Sequence, residues 1–160
     1  MKLKTCIVLA LMTWINIVNA SGLLPYDEFS DPKAELVSAL TNARDTDKKV
    51  LVIFGSNWCP DCRTFDQQLQ NEPLKSLIHK EFIVIKADIG NWDRNMDFAD
   101  RFGNPVKEGI PSIAIVDSGR ERYYAIRGSE LAHTRHQSIN RLADWFTLLA
   151  DGAPEKNALK

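Results

Sequence analysis

The stretch Val50–Arg63, VLVIFGSNWCPDCR, changes character twice. Val50 to Phe54 is a short continuous apolar run rich in β-branched residues, and it reads as a buried central strand. Gly55 to Trp58 is a loop. From Cys59 a helix is predicted through Phe65 and Leu69 to about Gln70, with Pro73 marking the next break. A strand therefore delivers the chain to a loop at its C-terminal edge, where α/β folds commonly place their chemistry. Two cysteines, Cys59 and Cys62, open the helix that follows.

Elements of both kinds continue on either side. Residues 21–30 read as an extended lead-in. Asp31-Pro32 supplies an N-cap followed by proline at the first helical position, and Ala34, Leu36, Val37 and Leu40 form an apolar face through about Arg44. Leu74 to Lys80 adds a short helix, and Phe82–Ala87 a second buried strand. Trp92 to Phe102 carries Met96, Phe98, Ala99 and Phe102 at helical spacing, with Gly103 placed to stop it. Ile110-Pro111 leads into a third strand, Ser112–Val116. Asp117-Ser118-Gly119-Arg120 is a turn, and Arg122–Ile126 is the hairpin partner. The last helix opens on a capping box, Thr134-x-x-Gln137, and lines Ile139, Leu142, Phe146 and Leu149 along one face until Gly152 and Pro154 end it.

Strands separated by helices imply parallel pairing through crossovers, and the final hairpin implies an antiparallel edge. The expected fold is α/β, a central mixed sheet flanked by helices on both faces. It forms a single domain over residues 32–152, after an N-terminal extension at 21–31 and before a loose tail at 153–160.

The first twenty residues are of another kind. Lys2 and Lys4 form a basic start, Thr5 to Val18 is apolar apart from Thr13 and Asn16, and Val18-Asn19-Ala20 offers the small residues of a cleavage site. The apolar run is shorter than the roughly 20 residues a spanning helix needs. Residues 1–20 are therefore expected to be a cleaved signal peptide that exports the chain, to the periplasm in a bacterium; the alternative is a membrane anchor formed by residues 5–18. Removing Lys2 and Lys4 leaves 18 basic against 21 acidic residues, a net of −3. With no block of like charges, nothing suggests a nucleic-acid partner. A hydrophobic share of 44% and a charged share of 26% exclude a disordered or fibrous chain.

After the leader only Cys59 and Cys62 remain, and they admit three uses. Zinc needs about four ligands. His133 and His136 could complete a set, but they are spaced more tightly than paired histidine ligands usually are, and no metal is expected. A structural disulfide stabilises in proportion to the logarithm of the loop it closes, and a two-residue loop constrains the unfolded chain little. Redox exchange fits better. At a helix N-terminus, unpaired N–H groups and the positive end of the dipole stabilise a thiolate. The thiolate is the attacking species in disulfide exchange, and Cys62 lies one turn on, placed to resolve the mixed disulfide. No cofactor beyond that redox-active disulfide is implied.

Trp58-Cys59-x-x-Cys62 after the strand Val50–Phe54, followed by Gly109-Ile110-Pro111-Ser112 entering a strand, resembles the thioredoxin superfamily over roughly residues 32–150. The Lys86-Ala87-Asp88 layout and the longer connection before Gly109 are most similar to its exported branch, including the C-terminal reductase domain of the DsbD-type thiol:disulfide interchange protein. The resemblance implies a cis-proline at Pro111 beside the cysteines, with the Ile110 backbone free to pair with an extended substrate. It also implies protein disulfides as substrates and an electron-donating thiol:disulfide protein as partner. One position departs from the pattern: Ile53 stands where an acid usually shuttles the resolving cysteine's proton, so Lys86 is expected to lack its usual partner.

Pro60 and Asp61 lie between the cysteines. The Asp61 carboxylate opposes a second negative charge beside it, which Arg63 offsets in part, and this favours a disulfide reductase over an oxidase. A disulfide isomerase and a non-catalytic binding module on the same fold are the alternatives. Trp58 is expected to cover the cysteines and present a flat apolar surface to substrates. Trp92 and Trp145 are expected in the core or an interface, and Tyr123 and Tyr124 have no assigned chemistry.

Overall fold

The computed structural model describes residues 24–117, 122–131 and 136–152. The expected leader at 1–20, the tip of the predicted turn at Ser118-Gly119-Arg120, His133, Thr134 and the tail at 153–160 lie outside these.

Asp31 caps helix α1 (Pro32–Thr46), its carboxylate accepting from the N–H groups of Lys33 at 3.0 Å and Ala34 at 3.3 Å. Such a cap stabilises a helix by about 1 kcal/mol. α1 ends at Asp47, in the left-handed region, and the chain turns into β1 (Lys49–Gly55). Two helices follow, α2 (Pro60–Leu69) and α3 (Leu74–Glu81), and then β2 (Phe82–Asp88). A short α4 (Met96–Asp100) and a 3₁₀ helix (Pro105–Glu108) lead to β3 (Ser112–Asp117) and β4 (Arg122–Ile126). α5 (Gly128–Leu131) and α6 (Ile139–Ala150) are the last described helices.

The strand order is β2-β1-β3-β4. β1 lies at the centre and is apolar on both faces because both are covered. Val50, Val52 and Phe54 join α1, Phe98 and Ala99 in one core layer, while Leu51 and Ile53 join Phe65, Ile78, Leu142 and Phe146 of α2, α3 and α6 in the other. This is the mixed sheet with helices on both faces that the element order implies.

Three expectations are corrected. Among the described strands only β1 and β2 are parallel; β3 is antiparallel to β1, with Ser112 opposite Phe54. The β2–β3 connection never crosses to the far end of the sheet, so β3 starts beside the end of β1. That reversal sets Pro111 next to the loop after β1. Second, the helix expected over Trp92–Phe102 shrinks to Met96–Asp100, because Gly90, Trp92 and Asn95 all take positive φ and wind the segment into turns. The Asn95 side chain holds them by donating to the Asp88 carbonyl at 2.7 Å. Third, α6 is capped not by a box ending at Gln137 but by Ser138, whose hydroxyl accepts from the Arg141 N–H at 3.3 Å. His136 therefore precedes the helix, exposed, instead of lying in its first turn.

Candidate active site

Pro60 at the first helical position fixes where α2 begins, and it makes Cys59 the N-cap. A cap side chain normally offers an oxygen to the free N–H groups of the first turn. Here sulfur does so: Cys59 Sγ accepts from the Cys62 N–H at 3.2 Å. The Cys59 N–H in turn donates to the Ser56 carbonyl at 3.1 Å, closing the loop after β1. Both cysteines are thiols. Cys59 keeps 5% of its surface exposed and Cys62 none, so Cys59 is the sulfur nearer to solvent.

Charge at the two sulfurs is divided unequally. The Cys62 thiol donates to Cys59, and this bond outweighs burial in setting the Cys59 acidity; the N–H groups of Cys62 and Asp61 add to it. The Asp61 carboxylate works against them. The net effect brings Cys59 down to about 7. The same bond to Cys59, with burial, holds Cys62 far above the ordinary thiol range.

The thiolate form of Cys59 predominates above its pKa, so reactivity should rise with pH through that value. Alkylation of the reduced protein by iodoacetamide is expected to show a midpoint near pH 7 and to modify Cys59 first. Asp61→Asn should move the midpoint down, since its charge opposes the thiolate. A midpoint at about 8.5, that of a free cysteine, would exclude this account.

The other side chains expected at the site are placed as follows. Trp58 is 46% exposed; its indole N–H donates to the Gly90 carbonyl at 2.8 Å and its ring lies 5.3 Å from that of Trp92. Trp92, expected in a core or interface, is 47% exposed, because its left-handed backbone turns it outward onto Trp58. Trp145 is buried. The Ile110–Pro111 peptide is cis, as is Glu72–Pro73. The Cys59 thiol donates to the Ile110 carbonyl at 3.7 Å, so the bend at Pro111 borders the Cys59 sulfur. Pro60 is exposed and Asp61 partly so. Arg63 donates to the Asn57 carbonyl at 2.8 Å, which bolts the start of α2 to the loop before it.

Lys86 lacks the strand acid that is its usual partner but has another. Ile53 does lie opposite it in the β1–β2 register, but the Lys86 ammonium pairs instead with Asp66, one turn beyond Cys62 on α2. Among the described residues, no group of three histidine, cysteine or acidic side chains is placed to hold a metal. No described helix is long and apolar enough to cross a membrane.

Two residues at the site were not singled out in the sequence. Tyr26, from the lead-in, is only 3% exposed and packs with Cys59, Cys62 and Phe65. Asn57 holds it there: its amide oxygen accepts from the Tyr26 N–H at 3.0 Å, and its amide nitrogen donates to the Tyr26 carbonyl at 2.9 Å. An aromatic residue a few positions before a helix cap is too common to have marked Tyr26. The only available hint was Asn57, a residue able to satisfy both polar groups of a passing strand.

The profile of the family described as Thioredoxin-like matches residues 31–118. Among solved structures, the chain is similar to the disulphide isomerase from Xylella fastidiosa Temecula1, with 39% identity and a TM-score of 0.74 over 79% of this chain and 96% of that one. It shares its fold with the C-terminal domain of Neisseria meningitidis DsbD in the oxidised form, with 16% identity and a TM-score of 0.52 over 74% of this chain and 96% of that one. No curated protein matches the chain. With its two thiols paired at the mouth of α2 and its sheet in this order, the chain belongs to the thioredoxin-like family and has the fold of its thiol:disulfide oxidoreductases.

Proposed function

We propose that the protein is a reductase of protein disulfides that works outside the cytosol. The observation that carries this is the Cys59 sulfur at the N-terminus of α2, accepting from the Cys62 N–H and bordered by the Ile110 carbonyl. Cys59 attacks a substrate disulfide and expels one thiolate. Cys62 then attacks Cys59, expels the second, and leaves Cys59–Cys62 oxidised. Two electrons pass to the substrate, so a thiol:disulfide partner must restore them.

Asp61 supports the reducing direction. A dedicated oxidant stabilises its thiolate so strongly that the pKa falls to about 3.5, whereas thioredoxin lies at about 7. Cys59 is held at about 7, with the Asp61 carboxylate acting against the thiolate. The exposed rings of Trp58 and Trp92 offer apolar surface beside Cys59, and an extended substrate segment would pair along Ile110 next to Pro111. Export is read from residues 1–20. Cleavage after Ala20 would leave Tyr26 and its Asn57 clamp in the mature chain.

The reduction potential of Cys59–Cys62 against glutathione tests the direction. A value near about −270 mV fits a reductant, and one near about −120 mV an oxidant, which would sink the proposal. A second reading, disulfide isomerase, is favoured by the solved chain of that title at 39% identity. It predicts that catalytic amounts of the reduced protein reactivate a scrambled disulfide substrate, while a plain reductase only opens its bonds.

A further inference from the structure

The resolving cysteine presents a chemical difficulty. To close the disulfide Cys62 must lose a proton, yet it is fully buried. The bond to Cys59 that holds this proton in the resting dithiol is gone once Cys59 is joined to substrate, but burial still opposes its loss. The strand position that could supply a base holds Ile53, which has no proton acceptor and is itself in the core.

The structure fills the gap from another element. The point where a Cβ on Gly55 would sit is 2.1 Å from Tyr26 Oη and 3.0 Å from Cys62 Sγ, so phenol and thiol face each other across the bare Cα of Gly55. Any side chain at Gly55 would evict one of them. The phenol is held from behind by the paired Asn57 bonds to the Tyr26 backbone. The charged or titratable groups around it are Cys59, Cys62 and Asp66, with Lys86 beyond on β2 holding Asp66. Asp66 lies one turn after Cys62 on α2, acts on the phenol as a neighbouring charge and is 21% exposed, which puts a partly solvated carboxylate near the buried pair.

We propose that the Tyr26 hydroxyl carries the Cys62 proton out of the core as this cysteine closes the disulfide, with the Asp66 carboxylate as the next acceptor. The inference rests on Cys59–Cys62 being the exchange centre. The phenol takes the proton from Cys62 Sγ while giving its own to Asp66, which releases it to water. Cys62 Sγ forms a bond to Cys59 Sγ, and the substrate thiolate leaves with the electron pair of the mixed disulfide. Burial and the neighbouring anionic groups hold the Tyr26 hydroxyl well above the usual phenol range, so it stays neutral and can donate and accept at once. Its hydrogen bond is among the influences that ease Cys62 ionisation.

The test uses the full reduced protein and the aryl disulfide dithiobis(nitrobenzoate) in stopped flow. The first nitrothiobenzoate released reports Cys59 attack, and the second reports resolution by Cys62. Tyr26→Phe keeps the ring and removes only the hydroxyl. It should leave the first phase unchanged and slow the second about tenfold or more, the low end of what positioned acid–base groups contribute. The deficit should shrink as pH rises and hydroxide takes the proton directly. Asp66→Asn, which leaves Tyr26 in place, should slow the same phase. A second phase in Tyr26→Phe within about twofold of the wild type at every pH, or equal slowing of both phases, overturns the relay. A wild-type protein that releases no nitrothiobenzoate sinks the exchange centre itself, and the relay with it.

Discussion

Cys59→Ser is expected to reduce disulfide exchange to the uncatalysed level, while Cys62→Ser abolishes turnover but traps the substrate. The asymmetry follows from burial and charge. Cys59 is the sulfur with residual exposure and a lowered pKa, so it alone can begin the attack. A serine hydroxyl in its place stays protonated at neutral pH and is not an exchange nucleophile. Without Cys62, the bond from Cys59 to substrate has no internal attacker, and it persists until an outside thiol arrives. Mass spectrometry after mixing with a disulfide peptide reads the difference directly. Cys62→Ser should appear as a one-to-one adduct on Cys59, and Cys59→Ser should remain unmodified. Stable adducts on Cys62 in the Cys59→Ser protein would reverse the assigned roles. Cys62→Ala should also raise the Cys59 midpoint, because the Cys62 thiol is the largest influence lowering it.

What could be read from the sequence was what local chemistry determines. Asp31-Pro32 announces a helix start because a cap and a proline act within one turn. Val50–Phe54 announces a central strand because no solvent-facing residue interrupts it, and both of its faces proved covered. The mixed sheet follows from such signals, whereas the DsbD-like layout rested on the family resemblance of Trp58-Cys59-x-x-Cys62 and Gly109-Ile110-Pro111. The misreadings involve longer range or backbone conformation. Met96, Phe98, Ala99 and Phe102 are buried or partly buried as their spacing suggested, but periodicity does not register that Trp92 and Asn95 adopt left-handed φ. The partner of Lys86 was missed because Asp66 sits on a helix twenty residues earlier and meets it only after α2 packs on the sheet. Tyr26 was missed for the same reason, since a lead-in shows no periodicity of its own.

The lead-in is tied to the site by more than Tyr26. Glu28 accepts from the Asn57 side chain at 3.2 Å and pairs with Arg94 at 3.0 Å; Arg94 also reaches the buried Asp88 at 3.1 Å, and Asp88 accepts from Ser56 at 3.2 Å. The loop that presents Cys59 is thus braced from the lead-in on one side and the end of β2 on the other. This lets a short loop hold a reactive sulfur in one place while Trp58 stays exposed.

The opposite wall of the site depends on two backbones in contact, and Gly128→Ala should break that contact. A Cβ on Gly128 would lie 1.9 Å from the Gly109 carbonyl oxygen and 2.0 Å from its carbon. Both are main-chain atoms, with no rotamer to move into. The segments are also fastened together, because Ser129 donates to Glu108 at 2.7 Å and Arg127 pairs with the same carboxylate at 3.2 Å. Either α5 separates from the 3₁₀ helix or the Gly109-Ile110-Pro111 bend is pushed away from Cys59. Overpacking of this kind costs about 3 kcal/mol, readable as a lowered midpoint in chemical unfolding. In the folded fraction, exchange with a peptide disulfide should slow, while alkylation of Cys59 by iodoacetamide, which needs no bend to lie along, keeps its rate. Gly109→Ala is the informative contrast. A Cβ there meets nothing within 4 Å, but φ is 117° and ψ 178°, a region that glycine alone adopts readily, so its cost is conformational, about 1–3 kcal/mol. Were Gly128→Ala to unfold within about 0.5 kcal/mol of the wild type, the close approach would not be what sets the bend.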